Sequence, residues 1–252
     1  MNEAIRISDE GGGVRRITID RAEKRNALTR PMMQALCDAV TEAEAADGVR
    51  VLLFDSPGPI FCAGADLDGL SGEPLTPQTD PGHQFLMALA RARKPLVAAV
   101  QGPAVGVGAT MLLQFDLIYA APAMRLRMPF IDLGLTPEGG ATVLMPQLLG
   151  LRGAARMLML GEDMDAGQAL ASGMINEIVE ADQLAARAEA AAHTLASKPP
   201  VALARTKGML RSPALLTAMD AEQAVFQEMI RGPEFQAAVA AAKARIAKRG
   251  NP

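Results

Sequence analysis

The sequence predicts an α/β fold with a helical carboxyl-terminal extension. Three observations carry that expectation. Short apolar runs of strand length recur through the first two thirds of the chain, segments with helical spacing lie between them, and from Arg152 onward the pattern becomes almost wholly helical.

The first segment alternates as a strand does: Ile5 and Ile7, a glycine turn at Gly11 to Gly13, then Val14, Ile17 and Ile19, which together predict a hairpin. A helix follows, with Thr29 as its cap, Pro31 in its first turn and Met32, Leu36, Ala39 and Val40 at helical spacing; Asp47-Gly48 stops it. VRVLLFD, ending at Asp55, and LVAAVQ, ending at Gln101, are apolar strands whose intervening helix implies a right-handed crossover. The tract from Ser71 to Gly82 is rich in Pro, Gly, Thr and Asp and reads as a surface loop, with a helix from about Gln84 to Ala92 behind it. DLIYAA is a third strand, and Arg125 to Met128 a short fourth. LGLTPEGG then leads into a helix through Leu148, with Thr136 placed to cap it and Pro137 at its first position. Beyond Arg152 one strand is expected at Ile175 to Val179, and helices break at Pro199-Pro200, Pro213 and Gly232-Pro233. No repeat of solenoid period is present.

Composition narrows the function classes. The chain has 252 residues, enough to bury a substantial core without disulfide or metal staples. Half of it is hydrophobic, Trp is absent and Met is abundant, so aliphatic side chains and Met must fill the interior. With 25 basic and 28 acidic residues there is no overall attraction to nucleic acid or an acidic membrane, and an anionic ligand must be held locally. Cys37 and Cys62 match no zinc spacing and no disulfide framework, which suits a reducing compartment. The amino terminus carries acids early, no apolar run is long enough to span a bilayer, and the KRGNP ending is not a peroxisomal address; a cytoplasmic protein is expected.

Three segments can carry chemistry. FCAGADLDGL, Phe61 to Leu70, follows a strand and a Pro-Gly-Pro turn; the small Ala63, Gly64 and Ala65 let a ligand approach backbone N–H groups, although an ordinary tight turn with Asp66 as a helix cap reads equally well. QGPAVGVGATMLLQFD, Gln101 to Asp116, is a second strand end followed by a glycine turn that is expected to open an apolar helix. Two such turns can aim two N–H groups at one oxygen, the geometry of an oxyanion hole. A nucleotide site is excluded, because Met111 stands where a dinucleotide fingerprint needs glycine and no Lys-Ser/Thr follows. MPFIDLGLTPEGG, Met128 to Gly140, contributes Glu138, which by itself could be a carboxylate placed at a helix start for the dipole alone.

In order and spacing these segments, with RAEKRNAL before them and FDLIYA and LGEDMDAGQALASGMINEIV around them, resemble the enoyl-CoA hydratase/isomerase (crotonase) superfamily along nearly the whole chain. The resemblance implies a crotonase-like spiral of ββα units over 1–195, a helical trimerisation region over 196–252, and homotrimers or dimers of trimers. It implies an acyl-CoA thioester as substrate, coenzyme A arriving with it and no permanently bound cofactor. It also implies an oxyanion hole from the N–H groups of Ala65 and Val107, a coenzyme A path along Ala63, Ala65, Asp66 and Leu67, and phosphate contacts from Lys24 and Arg25, with Phe130 beside the substrate. Lys24 and Arg25 could as well be a solvated basic turn.

The departures from the family pattern are informative. Hydratases of the family carry two glutamates where this chain has Thr110 and Phe130. Neither residue can activate water or protonate a carbon. Glu138, eight residues past Phe130, matches the glutamate of the 3,2-enoyl-CoA isomerases, whose reaction needs one movable base, and Leu133, Leu135 and Phe130 would raise its pKa. The resemblance therefore implies movement of an enoyl-CoA double bond from position 3 to position 2; a 2-enoyl-CoA hydratase-like enzyme and a non-catalytic acyl-CoA-binding homologue are the alternatives.

Other candidates carry less. His83 and His193 have no Ser or Cys elbow nearby, Asp66 and Asp68 lack further metal ligands, and no metal site is expected. Asp116 reads as a structural junction, and Lys243, Arg245, Lys248 and Arg249 as a basic last turn that the helix dipole accounts for.

Overall fold

The computed structural model describes residues 3–69 and 75–249. Among the described residues, nine strands form two sheets. The larger contains β1 (Ile5–Asp9), β2 (Val14–Ile19), β3 (Val51–Asp55), β4 (Leu96–Val100), β6 (Leu117–Ala120) and β9 (Glu177–Ile178), in that order across the sheet. Only the β1/β2 hairpin in it is antiparallel. The smaller sheet pairs β5 (Ala104–Val105) with β7 (Arg125–Arg127) in parallel and β7 with β8 (Met164–Asp165) in antiparallel fashion. β4 with β5 and β6 with β7 each send one strand to each sheet before a helix, so the chain advances as a spiral of ββα turns.

The central strands are buried on both faces, as parallel strands covered by crossovers must be. Leu52 and Phe54 of β3 point into the main core with α1 (Arg30–Ala45) and α2 (Pro81–Arg91). Val51 and Leu53 point the other way, onto the alanine face of α6 (Leu184–Ala196). Alanine at 188, 191, 192 and 196 lets that helix lie close to the sheet. Thr29 caps α1 as expected, its hydroxyl accepting the Met32 N–H at 3.4 Å.

The carboxyl-terminal part is helical: α7 (Pro200–Leu210), α8 (Leu215–Met229) and α9 (Pro233–Arg249), broken at the expected prolines. Among the described residues no helix is long and apolar enough to cross a membrane.

Several elements differ from expectation. α2 starts at Pro81 because Asp80 caps it, so His83 is a buried helix residue bonded to Asp220 at 3.1 Å and not part of a loop. The second glycine turn opens only a four-residue helix, α3 (Val107–Thr110), before tightening into a 3-10 turn. The strand expected over 175–179 is confined to β9, and β5 and β8, two residues each, are too short for any periodicity to announce. The largest correction concerns the 136–148 stretch: α4 (Ala141–Met159) begins four residues after Pro137 and runs past Leu148 to Met159, broken at Gly150 with φ 69°. Gly139 and Gly140, at φ 71° and 79°, carry the chain through left-handed backbone that ends any helix begun at Thr136. Residues 71–74 of the expected surface loop and the side chains of Arg245, Lys248 and Arg249 lie outside the described residues.

One buried polar residue joins the early turn to the core. Asn26, fully buried at φ 56°, accepts the Arg21 N–H at 2.9 Å and donates to the Pro57 and Ile60 carbonyls at 2.9 and 2.7 Å. Asn26→Ala would leave those carbonyls short of donors and place alanine in left-handed backbone. A loss of about 2–4 kcal/mol in urea unfolding is expected.

Candidate active site

Two glycine turns meet at the mouth of a cavity. The first, at the end of the segment after β3, and the second, after β4, are stitched by a bridge between Cys62 and Ala104, with the Val105 N–H donating to the Cys62 carbonyl at 2.9 Å. The approach is close enough to forbid side chains. A Cβ on Gly64 would sit 3.0 Å from the Val105 carbonyl oxygen and 3.9 Å from Gly106 Cα, and one on Gly108 would come within 2.7 Å of Cys62. Gly64 and Gly106 also occupy positive φ, at 98° and 55°.

That arrangement leaves two amides over. Around Ala65, the Gly64 carbonyl accepts the Leu28 N–H and the Asp66 N–H donates to the Leu28 carbonyl, both at 2.8 Å, and the Ala65 N–H takes no part in this ladder. Val107 is the first residue of α3, where a helix has no internal acceptor for its N–H. Both residues line a cavity of about 590 Å³. Its other walls are apolar side chains, among them Met33, Leu67, Phe130, Leu135 and Phe226, together with Asp80, Arg127, Asp132 and Glu138.

Glu138 is held by its neighbours' backbone. The Gly139 carbonyl accepts from Gln114 Nε2 at 2.7 Å, Gln114 in turn accepts from Arg211 at 3.0 Å, and on the other side the Gly140 N–H donates to Glu222 at 2.6 Å. Glu222 of α8 also accepts the Thr142 N–H at 2.8 Å, so it caps α4 in place of the expected Thr136. The carboxyl of Glu138 faces the cavity within dense protein. Burial, with the Asp80 and Glu222 carboxylates as further causes, pushes its pKa up from 4.5 to about 8. The Thr110 and Thr136 hydroxyls are buried without a partner, and Thr110 lies against Gly139.

The residues singled out in the sequence fall into two groups. Ala63, Ala65, Leu67, Val107, Phe130 and Glu138 line one cavity. Lys24 and Arg25 are exposed outside it, tied to the first turn by the Arg25 carbonyl accepting the Ala63 N–H at 3.1 Å. Asp66 also stands apart: its carboxylate is paired with Arg21 at 2.7 Å, which lowers its pKa, and it lines a neighbouring pocket of about 40 Å³. Asp68 is paired with Lys243 at 2.7 Å and Asp116 with buried Lys207 at 2.6 Å, consistent with structural roles. Among the described residues there is no cluster of three or more His, Cys, Asp or Glu able to hold a metal. Burial pushes the Cys62 thiol up to about 12, so it packs as an apolar group.

Asp80, Arg127 and Asp132 were not legible in the sequence as cavity residues. Asp80 was hidden in a loop-like tract whose only local signal was a cap before Pro81.

The chain matches the family model described as enoyl-CoA hydratase/isomerase over residues 9–247. It is 34% identical over 207 residues to the 1,2-epoxyphenylacetyl-CoA isomerase of Escherichia coli, covering 79% of each chain. An enoyl-CoA hydratase of Alternaria alternata is 32% identical over 175 residues, covering 68% of this chain and 59% of that one. The solved structure of Pseudomonas aeruginosa OdaA superposes with a TM-score of 0.91 at 36% identity, covering 95% of this chain and 98% of that one.

The raised pKa has a thermodynamic consequence. Between 4.5 and about 8 the unfolded chain releases the Glu138 proton while the folded one keeps it, so stability contributed by the neutral carboxyl is present below 4.5, declines across that window and is gone above about 8. Glu138→Gln removes the titration. The variant's gain in melting temperature over the parent should grow as pH rises through the window and then level; a constant difference would contradict the burial of Glu138.

Proposed function

The chain belongs to the enoyl-CoA hydratase/isomerase family, and we propose that within it this protein moves an enoyl-CoA double bond from position 3 to position 2. The observation that carries the reading is the Glu138 carboxyl, its pKa raised, in the same cavity as two uncommitted turn amides. Thr110 and Phe130 at the hydratase positions leave that cavity without the usual glutamate pair.

In this reading the thioester oxygen accepts hydrogen bonds from the Ala65 and Val107 N–H groups. Ionised Glu138 removes a proton from carbon 2, the C–H electrons pass into a dienolate, and the two amides stabilise its oxyanion. Glu138 then returns the proton at carbon 4. The former C3–C4 double bond becomes single and a C2–C3 double bond remains, with atoms and charge unchanged. A high carboxyl pKa suits this base, since a more basic carboxylate takes a carbon-bound proton more readily. Coenzyme A enters as part of the substrate, with Ala63 and Leu67 in contact and Lys24 and Arg25 outside the mouth available for its phosphates.

The test is the product formed. A 3-enoyl-CoA should give the 2-enoyl isomer, and a 2-enoyl-CoA should give little 3-hydroxyacyl-CoA; fast hydration would overturn the reading. Glu138→Gln should lower turnover by roughly 100- to 10,000-fold while retaining acyl-CoA affinity, whereas a non-catalytic binder would be indifferent. Because the base form is required, kcat/KM should rise with pH through about 8 and then level.

The expected assembly into trimers is supported by exposed Leu151, Met159, Leu160, Met209 and Leu210 on the helical part. Sedimentation velocity should give three chains or six, and a monomer would contradict it.

A further inference from the structure

The cavity holds a second carboxylate that the proposed chemistry does not use. Asp80 precedes α2 and caps it, with Oδ1 accepting the Gly82 N–H at 2.9 Å. A cap needs only that one oxygen, and neutral Asn or Ser would serve. Oδ2, however, accepts from two side-chain amides of another helix, Gln223 Nε2 at 2.6 Å and Gln227 Nε2 at 2.8 Å. Both glutamines are buried. Buried amides need acceptors, and here both are aimed at one carboxylate oxygen, which holds the Asp80 side chain in a single orientation.

The same helix reaches Glu138 from the other side, through Glu222 and the Gly140 N–H. α8 thus fixes Asp80 and the Glu138 segment relative to one another across one cavity. Charged groups of both signs surround Asp80: Arg30 of α1 and Asp66 line the small neighbouring pocket with it, and Arg127 and Asp132 line the cavity. Arg127 on β7 is paired with Asp132 at 3.1 Å and with Asp163 at 3.2 Å, and Glu222, which bonds the Gly140 and Thr142 N–H groups and does not line the cavity, is itself negative. His83 on α2 faces Asp220 of α8.

We propose that Asp80 is a positioning residue for proton transfer: clamped by Gln223 and Gln227, it presents a fixed negative charge to the cavity that is relieved when Glu138 takes a proton. This rests on Glu138 being the base. When Glu138 is ionised, it shares the cavity with the Asp80 carboxylate, while Asp132 on the same wall is paired with Arg127. When the carbon 2 proton moves to it, the pair becomes an acid beside a carboxylate, and the electrostatic gain accrues in the step that forms the dienolate. The direction of the Asp80 influence on Glu138, upward, agrees.

The experiment is a titration that needs no turnover. The carboxyl signal of Glu138 is followed by carbon NMR in protein labelled at glutamate side chains, assigned by its absence in Glu138→Gln, for the parent, Asp80→Asn and Asp80→Ser. Asn can keep its contacts if the glutamine amides flip, and Ser keeps the cap, so two routes to a neutral position 80 are available. The parent should titrate near about 8. In either variant the midpoint should fall, the rising limb of kcat/KM should move down in pH with it, and the alkaline plateau should drop as the base weakens. A midpoint that stays in place while melting temperature or plateau falls would make Asp80 merely structural and overturn the proposal. Absence of double-bond movement in the parent would instead overturn the isomerase reading and leave the titration result standing.

Discussion

The architecture turns on the contact between two glycine turns at Gly64 and Gly106. Both glycines sit at positive φ, a Cβ on Gly64 would press on the Val105 carbonyl at 3.0 Å, and two further glycines do exclude a side chain: one on Gly108 would clash with Cys62, and one on Gly102 would collide with the Pro59 carbonyl. Only when the turns cross this closely do the next residues, Ala65 and Val107, face one cavity. The constraint is local in chemistry and global in consequence. Each turn is the end of a strand of the large sheet or the loop just beyond it, so the parallel register of β3 with β4 determines where the two amides stand.

The second constraint is the polar inner face of α8. Glu222, Gln223 and Gln227 are buried in a helix whose other buried residues are Leu215, Met219 and Phe226. Unpaired, each would cost free energy. Each is instead bonded to backbone or to Asp80 on the cavity side. The carboxyl-terminal helices therefore close the cavity, which also takes Phe226 as a wall. Glu138 itself remains a stability liability, a half-buried carboxyl among protein atoms near two like charges, of the kind that persists where chemistry requires it.

Much of the fold was legible because buried parallel strands announce themselves as apolar runs; β3 and β4 were read nearly to the residue. The stretch around Glu138 was misread for a physical reason. Thr136 and Pro137 imitate a helix start, but Gly139 and Gly140 turn the backbone left-handed, and the cap that α4 uses comes from Glu222, 82 residues from Gly140. No local pattern contains that partner. Asp80 escaped for a related reason, since a cap before proline gives no sign of which cavity its second oxygen borders. Ala65 and Val107, by contrast, were singled out only through resemblance to a family, because a role proposed for a backbone amide leaves no trace in residue type; the structure places both on the cavity wall.

The most direct test of this account is a crystal structure of the protein with an unreactive acyl-CoA thioester. It should show the thioester oxygen within hydrogen-bonding distance of both the Ala65 and Val107 nitrogens, with carbon 2 beside the Glu138 carboxyl. A thioester oxygen bound away from the two turns, or an acyl chain that leaves Glu138 out of contact, would contradict it.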